Sequence, residues 1–119
     1  METVLVVEDD RAYARITTNW LVKNGINARY VLSVDSAKGF LEGYEVDLVL
    51  SDLRLNNSNG VELLEWMKAQ GYRMPFLIMT GYGDILSAVE AMKKGAADYL
   101  PKPVQTERVL GIIRDRKST

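Results

Sequence analysis

The chain contains no histidine and no cysteine. The first absence removes the commonest general base and the commonest transition-metal ligand. The second excludes disulfides and thiol chemistry, and it suits a reducing compartment. A metal held by this chain must therefore be a hard ion bound through oxygen. Charge of neither sign dominates: 15 basic residues face 16 acidic ones, for a net charge of −1. There is thus no basic footprint for nucleic acid. No apolar stretch approaches the length of a membrane span. The opening Met1-Glu2-Thr3 lacks the basic and apolar regions of a signal peptide. These absences predict a cytoplasmic protein that contacts neither membrane nor nucleic acid directly.

What is present is enough for one folded domain. The chain has 119 residues, and at this size roughly two-thirds of the unfolded surface is buried. Apolar runs alternate with helical patterns. Thr3 to Glu8, Asn27 to Leu32, Asp47 to Ser51, Pro75 to Thr80 and Ala97 to Leu100 read as strands. Arg11–Asn24, a segment capped by Ser33 or Asp35 and running through Leu41, Gly60–Gln70, Asp84–Lys94 and Val104 to about Arg116 read as helices. Leu53 to Asn59 is polar and asparagine-rich, and reads as a loop. In the fourth helix Ile85, Val89 and Met92 share one face. Five βα units argue for a parallel sheet with helices on both sides. The flavodoxin-like doubly wound (βα)5 fold, a single α/β domain with strand order 2-1-3-4-5, is the expected arrangement. The domain should span 3–116, with 117–119 as a polar tail.

Five residues stand where strands stop. Asp9 and Asp10 follow the first, Asp52 the third, Thr80 the fourth and Lys102 the fifth. In an open α/β sheet these ends share one edge, and ligands bind there. Each residue alone has an ordinary explanation: a helix cap, a loop acid, a turn hydroxyl, a solvated lysine. Together they suit one reaction. Three carboxylates at neighbouring strand ends, ~5 Å apart, repel unless a cation compensates, and Mg²⁺ is the natural one. A carboxylate can attack phosphorus to give an aspartyl phosphate, a transfer that needs positioning and charge stabilisation rather than histidine. Mg²⁺, Lys102 and the Thr80 hydroxyl would each hold a phosphoryl oxygen, and Gly81 lets the backbone approach closely.

These residues sit in VLVVEDD at 4–10, VLSDLRL at 49–55, NGVELL at 59–64, LIMTGYGD at 77–84 and AVEAMKKGAADYLPKP at 88–103. In that order and spacing, the chain resembles the receiver domain of two-component response regulators from about Val4 to Arg114. It is most similar to receivers of enhancer-binding transcription activators. The resemblance implies that Asp52 accepts the phosphoryl group and that Asp9 and Asp10 hold Mg²⁺, Asp10 directly and Asp9 largely through water. It implies that the main-chain carbonyl of Arg54 completes the ligands. Thr80 and Tyr99 would be the switch residues. Lys102 would contact the phosphate, across a cis bond to Pro103 that occurs in only about 5–6% of such positions. A histidine kinase would be the donor, and an output domain, a partner protein or a second receiver would read the face of the fourth helix, fifth strand and fifth helix. The chain would be no enzyme beyond its own phosphotransfer and dephosphorylation. Asn56 and Asn59 replace the proline and aspartate of many relatives, which predicts altered loop mobility. Two other classes fit less well. An aspartyl-intermediate phosphohydrolase usually carries Asp-x-Asp, whereas here the acids are adjacent. An FMN carrier needs a Ser/Thr/Gly-rich first loop where this chain has Glu-Asp-Asp.

Overall fold

Alternate residues of a strand face opposite sides of its sheet, and in this chain both sides are apolar. The computed structural model describes residues 2–81 and 84–117. Five parallel strands form its sheet: β1 (Thr3–Val7), β2 (Asn27–Val31), β3 (Leu48–Asp52), β6 (Phe76–Thr80) and β7 (Asp98–Pro101). Their order is β2-β1-β3-β6-β7, the expected 2-1-3-4-5 once two short strands, β4 (Arg54–Leu55) and β5 (Ser58–Asn59), are counted between the third and fourth. Five helices cover the sheet: α1 (Arg11–Lys23), α2 (Val34–Gly43), α3 (Gly60–Ala69), α4 (Ile85–Lys93) and α5 (Thr106–Lys117).

Leu5, Val7, Val49, Phe76 and Ile78 pack with Leu41 of α2, with Leu63, Leu64 and Met67 of α3, and with Ala91 of α4. The intervening Val4, Val6, Leu48, Leu50, Leu77 and Met79 pack with Leu21 of α1 and with Val109 and Ile113 of α5. A strand buried on both faces must be apolar at every position, which is why β1, β3 and β6 read as continuous runs. Ser33 caps α2 by accepting from the Ser36 N–H. Gly25, at φ 84°, ends α1, with the N–H groups of Gly25 and Ile26 donating to the carbonyls of Val22 and Leu21.

One expectation changes. The segment 53–59 is more than a loop: β4 and β5 pair antiparallel around Asn56-Asn57. Asn57 sits at φ 60°, a conformation asparagine tolerates better than most residues. Asn59 then caps α3 by accepting from the Glu62 N–H, so the segment is held at both ends. The shared Ile85–Val89–Met92 face of α4 points outward. Ile85 is 65% exposed and the neighbouring Leu86 86%, while Ala88 and Ala91 pack inward. Of the expected tail, Lys117 belongs to α5, and residues 118–119 lie outside the described residues.

Gly60 fixes where α3 meets the sheet. A β-carbon there would lie 2.6 Å from the main-chain oxygen of Asp52, 3.1 Å from Ser51 Oγ and 3.2 Å from Ile78 Cδ1. The two side chains can yield, but the carbonyl cannot move without moving Asp52. Gly60→Ala should lower unfolding stability by about 1–3 kcal/mol. The check is a fall in denaturant midpoint at unchanged m-value; an unchanged midpoint would show that α3 can back away freely.

Candidate functional site

The strand register brings the functional residues to one edge. Val7 pairs with Ser51, Asp52 with Met79, and Thr80 with Pro101. Glu8, Asp52, Thr80 and Lys102 therefore stand side by side at the carboxyl end of the sheet. The chain continues across this edge through main-chain bonds. The Leu53 N–H donates to the Met79 carbonyl at 2.9 Å, and the Lys102 N–H to the Thr80 carbonyl at 2.8 Å.

Lys102 is the hub. Its ammonium donates to Asp52 Oδ2 at 2.8 Å and to Glu8 Oε1. It also lies 4.7 Å from the ring centroid of Tyr13. Asp52 is buried; its Oδ1 accepts the Arg54 N–H at 3.3 Å, and its own carbonyl accepts the Ser51 hydroxyl at 2.9 Å. Glu8 is wholly buried, and its Oε2 accepts the Asp10 N–H at 3.1 Å. Burial pushes the Glu8 carboxyl up to about 7, against the pull of Lys102 and the Asp10 N–H. Burial also works to lower the Lys102 ammonium, but its hydrogen bonds to Asp52 and Glu8 outweigh that and hold it above the usual lysine range.

The acids that meet are Glu8, Asp9 and Asp52, with one carboxylate oxygen of each within 4.8 Å of the others. Of the expected pair, Asp9 lies in this group and Asp10 does not. Asp10 is exposed and outside that group, because its carboxylate accepts the Tyr13 N–H at 3.1 Å and caps α1. Glu8 is the third acid of the group instead. Its N–H still bonds to the Val31 carbonyl at 3.1 Å, so β1 carries it to the rim as a continuation of the strand. Three oxygen donors, with no nitrogen or sulfur among them, match the preference of a hard divalent ion such as Mg²⁺.

Thr80 is buried at the end of β6. Tyr99 is half-buried against the core side that carries α2, α3 and α4. The Lys102–Pro103 peptide is cis. Arg54, expected for its carbonyl, also uses its side chain. Its guanidinium grips Asp84, just before α4, through bonds of 2.8 and 2.6 Å. Those hydrogen bonds hold the Asp84 carboxyl below the usual carboxylate range. Glu8, Asp84 and Tyr13 escaped the sequence reading. The position of Glu8 at a strand end was the one available signal. Of the Gly81-Tyr82-Gly83 connection, Tyr82 and Gly83 lie outside the described residues.

Residues 4–114 match the family model of the response regulator receiver domain. The chain belongs to that family. It is 42% identical over 113 residues to the transcriptional regulatory protein FixJ of Bradyrhizobium diazoefficiens, covering 92% of this chain and 54% of FixJ. It is 33% identical over 110 residues to the DNA-binding transcriptional regulator NtrC of Proteus hauseri, covering 92% of this chain and 23% of NtrC. The crystal structure of a response regulator receiver domain protein from Clostridium thermocellum superposes with a TM-score of 0.90 at 28% identity, covering 99% of this chain and 98% of that one. The receiver thus spans about half of FixJ and under a quarter of NtrC. Its relationship is to two-component transcription regulators, and the observed sheet order is the one expected of that fold. No helix among the described residues is long and apolar enough to cross a membrane.

Proposed function

We propose that this receiver is a phosphorylation-activated switch that takes a phosphoryl group from a histidine kinase onto Asp52. The observation that carries this reading is the buried Asp52 carboxylate held by Lys102 beside Glu8 and Asp9. An Asp52 oxygen attacks phosphorus, and the bond from phosphorus to the donor's leaving group breaks. The leaving group is imidazole nitrogen from a phosphohistidine, or acetate from acetyl phosphate. Lys102 is already on Asp52 and pairs with a phosphoryl oxygen as charge arrives. The hydroxyl of Thr80 takes another. Glu8, Asp9, Asp52 and the Arg54 carbonyl would hold Mg²⁺, which when bound supplies positive charge for the phosphoryl oxygens. Later attack of water on phosphorus releases inorganic phosphate and restores the carboxylate. The chain is in that sense not an enzyme with a separate substrate.

The output follows from the neighbours of Thr80. Drawing Thr80 toward the phosphoryl group opens space for Tyr99 to turn inward, and the face of α4, β7 and α5 changes. Moving a two-state equilibrium from mostly off to mostly on needs ~5.5 kcal/mol of differential stabilisation. A few charge-assisted hydrogen bonds at roughly 1.5–3 kcal/mol each supply it. The outward apolar residues Ile85, Leu86 and Val89 support α4 as the surface read by a second receiver, an output domain or a partner protein. The site is expected to work in the cytoplasm and to regulate transcription through an output domain or a partner protein, without touching nucleic acid itself. Acetyl phosphate and Mg²⁺ should add one phosphoryl group to the intact mass, and a chelator should prevent it; an unchanged mass overturns the reading.

The acids can be told apart. Glu8→Gln removes a donor from the cluster and should weaken Mg²⁺ binding severalfold. Asp10→Ala should keep Mg²⁺ affinity and instead cost about 1 kcal/mol of stability through the lost cap. Calorimetric Mg²⁺ titration and denaturation of both variants check this. The reverse pattern would favour Asp10 over Glu8 as the ligand.

A further inference from the structure

We propose that Tyr13 is a positioning residue for Lys102, holding the phosphate-contacting ammonium in place through two separate contacts. The proposal rests on the reading of Asp52 as phosphoryl acceptor. Lysine is a point charge on a flexible four-carbon stem, so its value at a reacting centre depends on what restrains it. Two carboxylates hold the ammonium from the sheet edge, Asp52 and Glu8. One of them, Asp52, changes chemically during the reaction. The Tyr13 ring, 4.7 Å away, is a neutral partner that attracts the cation without presenting a competing negative charge.

The second contact acts on the backbone. The Val104 N–H donates to the Tyr13 hydroxyl at 2.9 Å. Pro103 has no N–H, so Val104 carries the first main-chain donor after Lys102. The Lys102 N–H itself donates to the Thr80 carbonyl at 2.8 Å. Lys102 is therefore pinned on both sides, by Thr80 through the sheet and by Tyr13 through α1. Tyr13 is fixed in turn, because its own N–H is capped by Asp10. Asp10, which lies outside the acid cluster, thus supports the site at one remove.

Tyr13→Leu keeps an apolar side chain at the half-buried position and removes both contacts. Tyr13→Phe keeps the ring and removes only the hydroxyl bond. In the 119-residue chain at saturating Mg²⁺, Tyr13→Leu should slow phosphorylation by acetyl phosphate roughly two- to thirtyfold, the range that one cation–aromatic contact converts to. Mg²⁺ affinity should stay within about twofold, since Tyr13 offers no metal ligand. Tyr13→Phe should fall between wild type and Tyr13→Leu. Nuclear magnetic resonance should show ring-current-shifted Lys102 Cε protons in wild type and Tyr13→Phe, and unshifted ones in Tyr13→Leu. A wild-type rate in Tyr13→Leu overturns the proposal. So does a parallel fall of rate, Mg²⁺ affinity and denaturation midpoint in both variants, which is the mark of packing alone. If wild type takes up no phosphoryl group, the proposal falls as a statement about catalysis, and the ring-current shift locates the fault. A shift that is present blames the reading of Asp52; one that is absent blames the Tyr13 contact.

Discussion

Asp52→Asn is expected to take up no phosphoryl group from acetyl phosphate and Mg²⁺ under conditions that fully modify wild type. The amide has no anionic oxygen to attack phosphorus, and the other acids of the cluster among the described residues, Glu8 and Asp9, are the proposed Mg²⁺ donors. Glu8 is also wholly buried and hydrogen-bonded to Lys102 and the Asp10 N–H, while the Asp10 carboxylate caps α1. The effect on folding should be small by comparison, because two changes oppose each other. Asparagine loses the charge-assisted bond from Lys102 to Asp52, and it also removes one carboxylate from a group of three within 4.8 Å. Stability should remain within about 1 kcal/mol of wild type, the scale of one net hydrogen bond. Intact mass measures the first expectation and denaturation the second. A phosphoryl adduct on Asp52→Asn would remove Asp52 from its proposed role, whereas an unfolded variant would show the ion pair to be structural first.

The fold was legible because its signals are local. Continuous apolar runs mark the buried strands, and a polar residue directly after each run marks the edge, which is how Asp52, Thr80 and Lys102 could be placed together. The missed features depend on distance or direction. Glu8 read as the last residue of a strand, and only Lys102, 94 residues away, reveals that it belongs to the site. Asp10 is acidic and stands at the strand end, and that its carboxylate caps α1 through the Tyr13 N–H three residues on shows only in the structure. The spacing of Ile85, Val89 and Met92 shows that they share a face, but not that small Ala88 and Ala91 are the residues that bring α4 against the sheet. Strands of two residues, such as β4 and β5, are too short for any period to show.

Lys102→Met should destabilise the fold strongly and in a pH-dependent way. The substitution leaves Glu8 and Asp52 facing each other without the cation that separates them. Removing one partner of a buried ion pair costs about 3–5 kcal/mol when the remaining charges stay ionised. Glu8 has a way out. Its carboxyl is already raised to about 7 by burial, with Lys102 opposing that rise; losing Lys102 moves it further up. An acid raised on folding binds its proton more tightly in the folded state, so stability falls as pH climbs from the unfolded value of about 4.5 through the folded one. Lys102 acts in the other sense. Its raised ammonium contributes stability that is present below the ordinary lysine range and lost as pH rises through the folded value. The gap between wild type and Lys102→Met should thus be narrow near pH 5, where Glu8 is protonated, and wide by about pH 8–9, where Glu8 of wild type is ionised and Lys102 is still charged. Saturating Mg²⁺ should close much of the gap at high pH, since a bound cation replaces the missing charge. Denaturant midpoints at both pH values, with and without Mg²⁺, give the answer. A loss of equal size at both would mean that Lys102 supports the fold by packing its stem rather than by separating the acids.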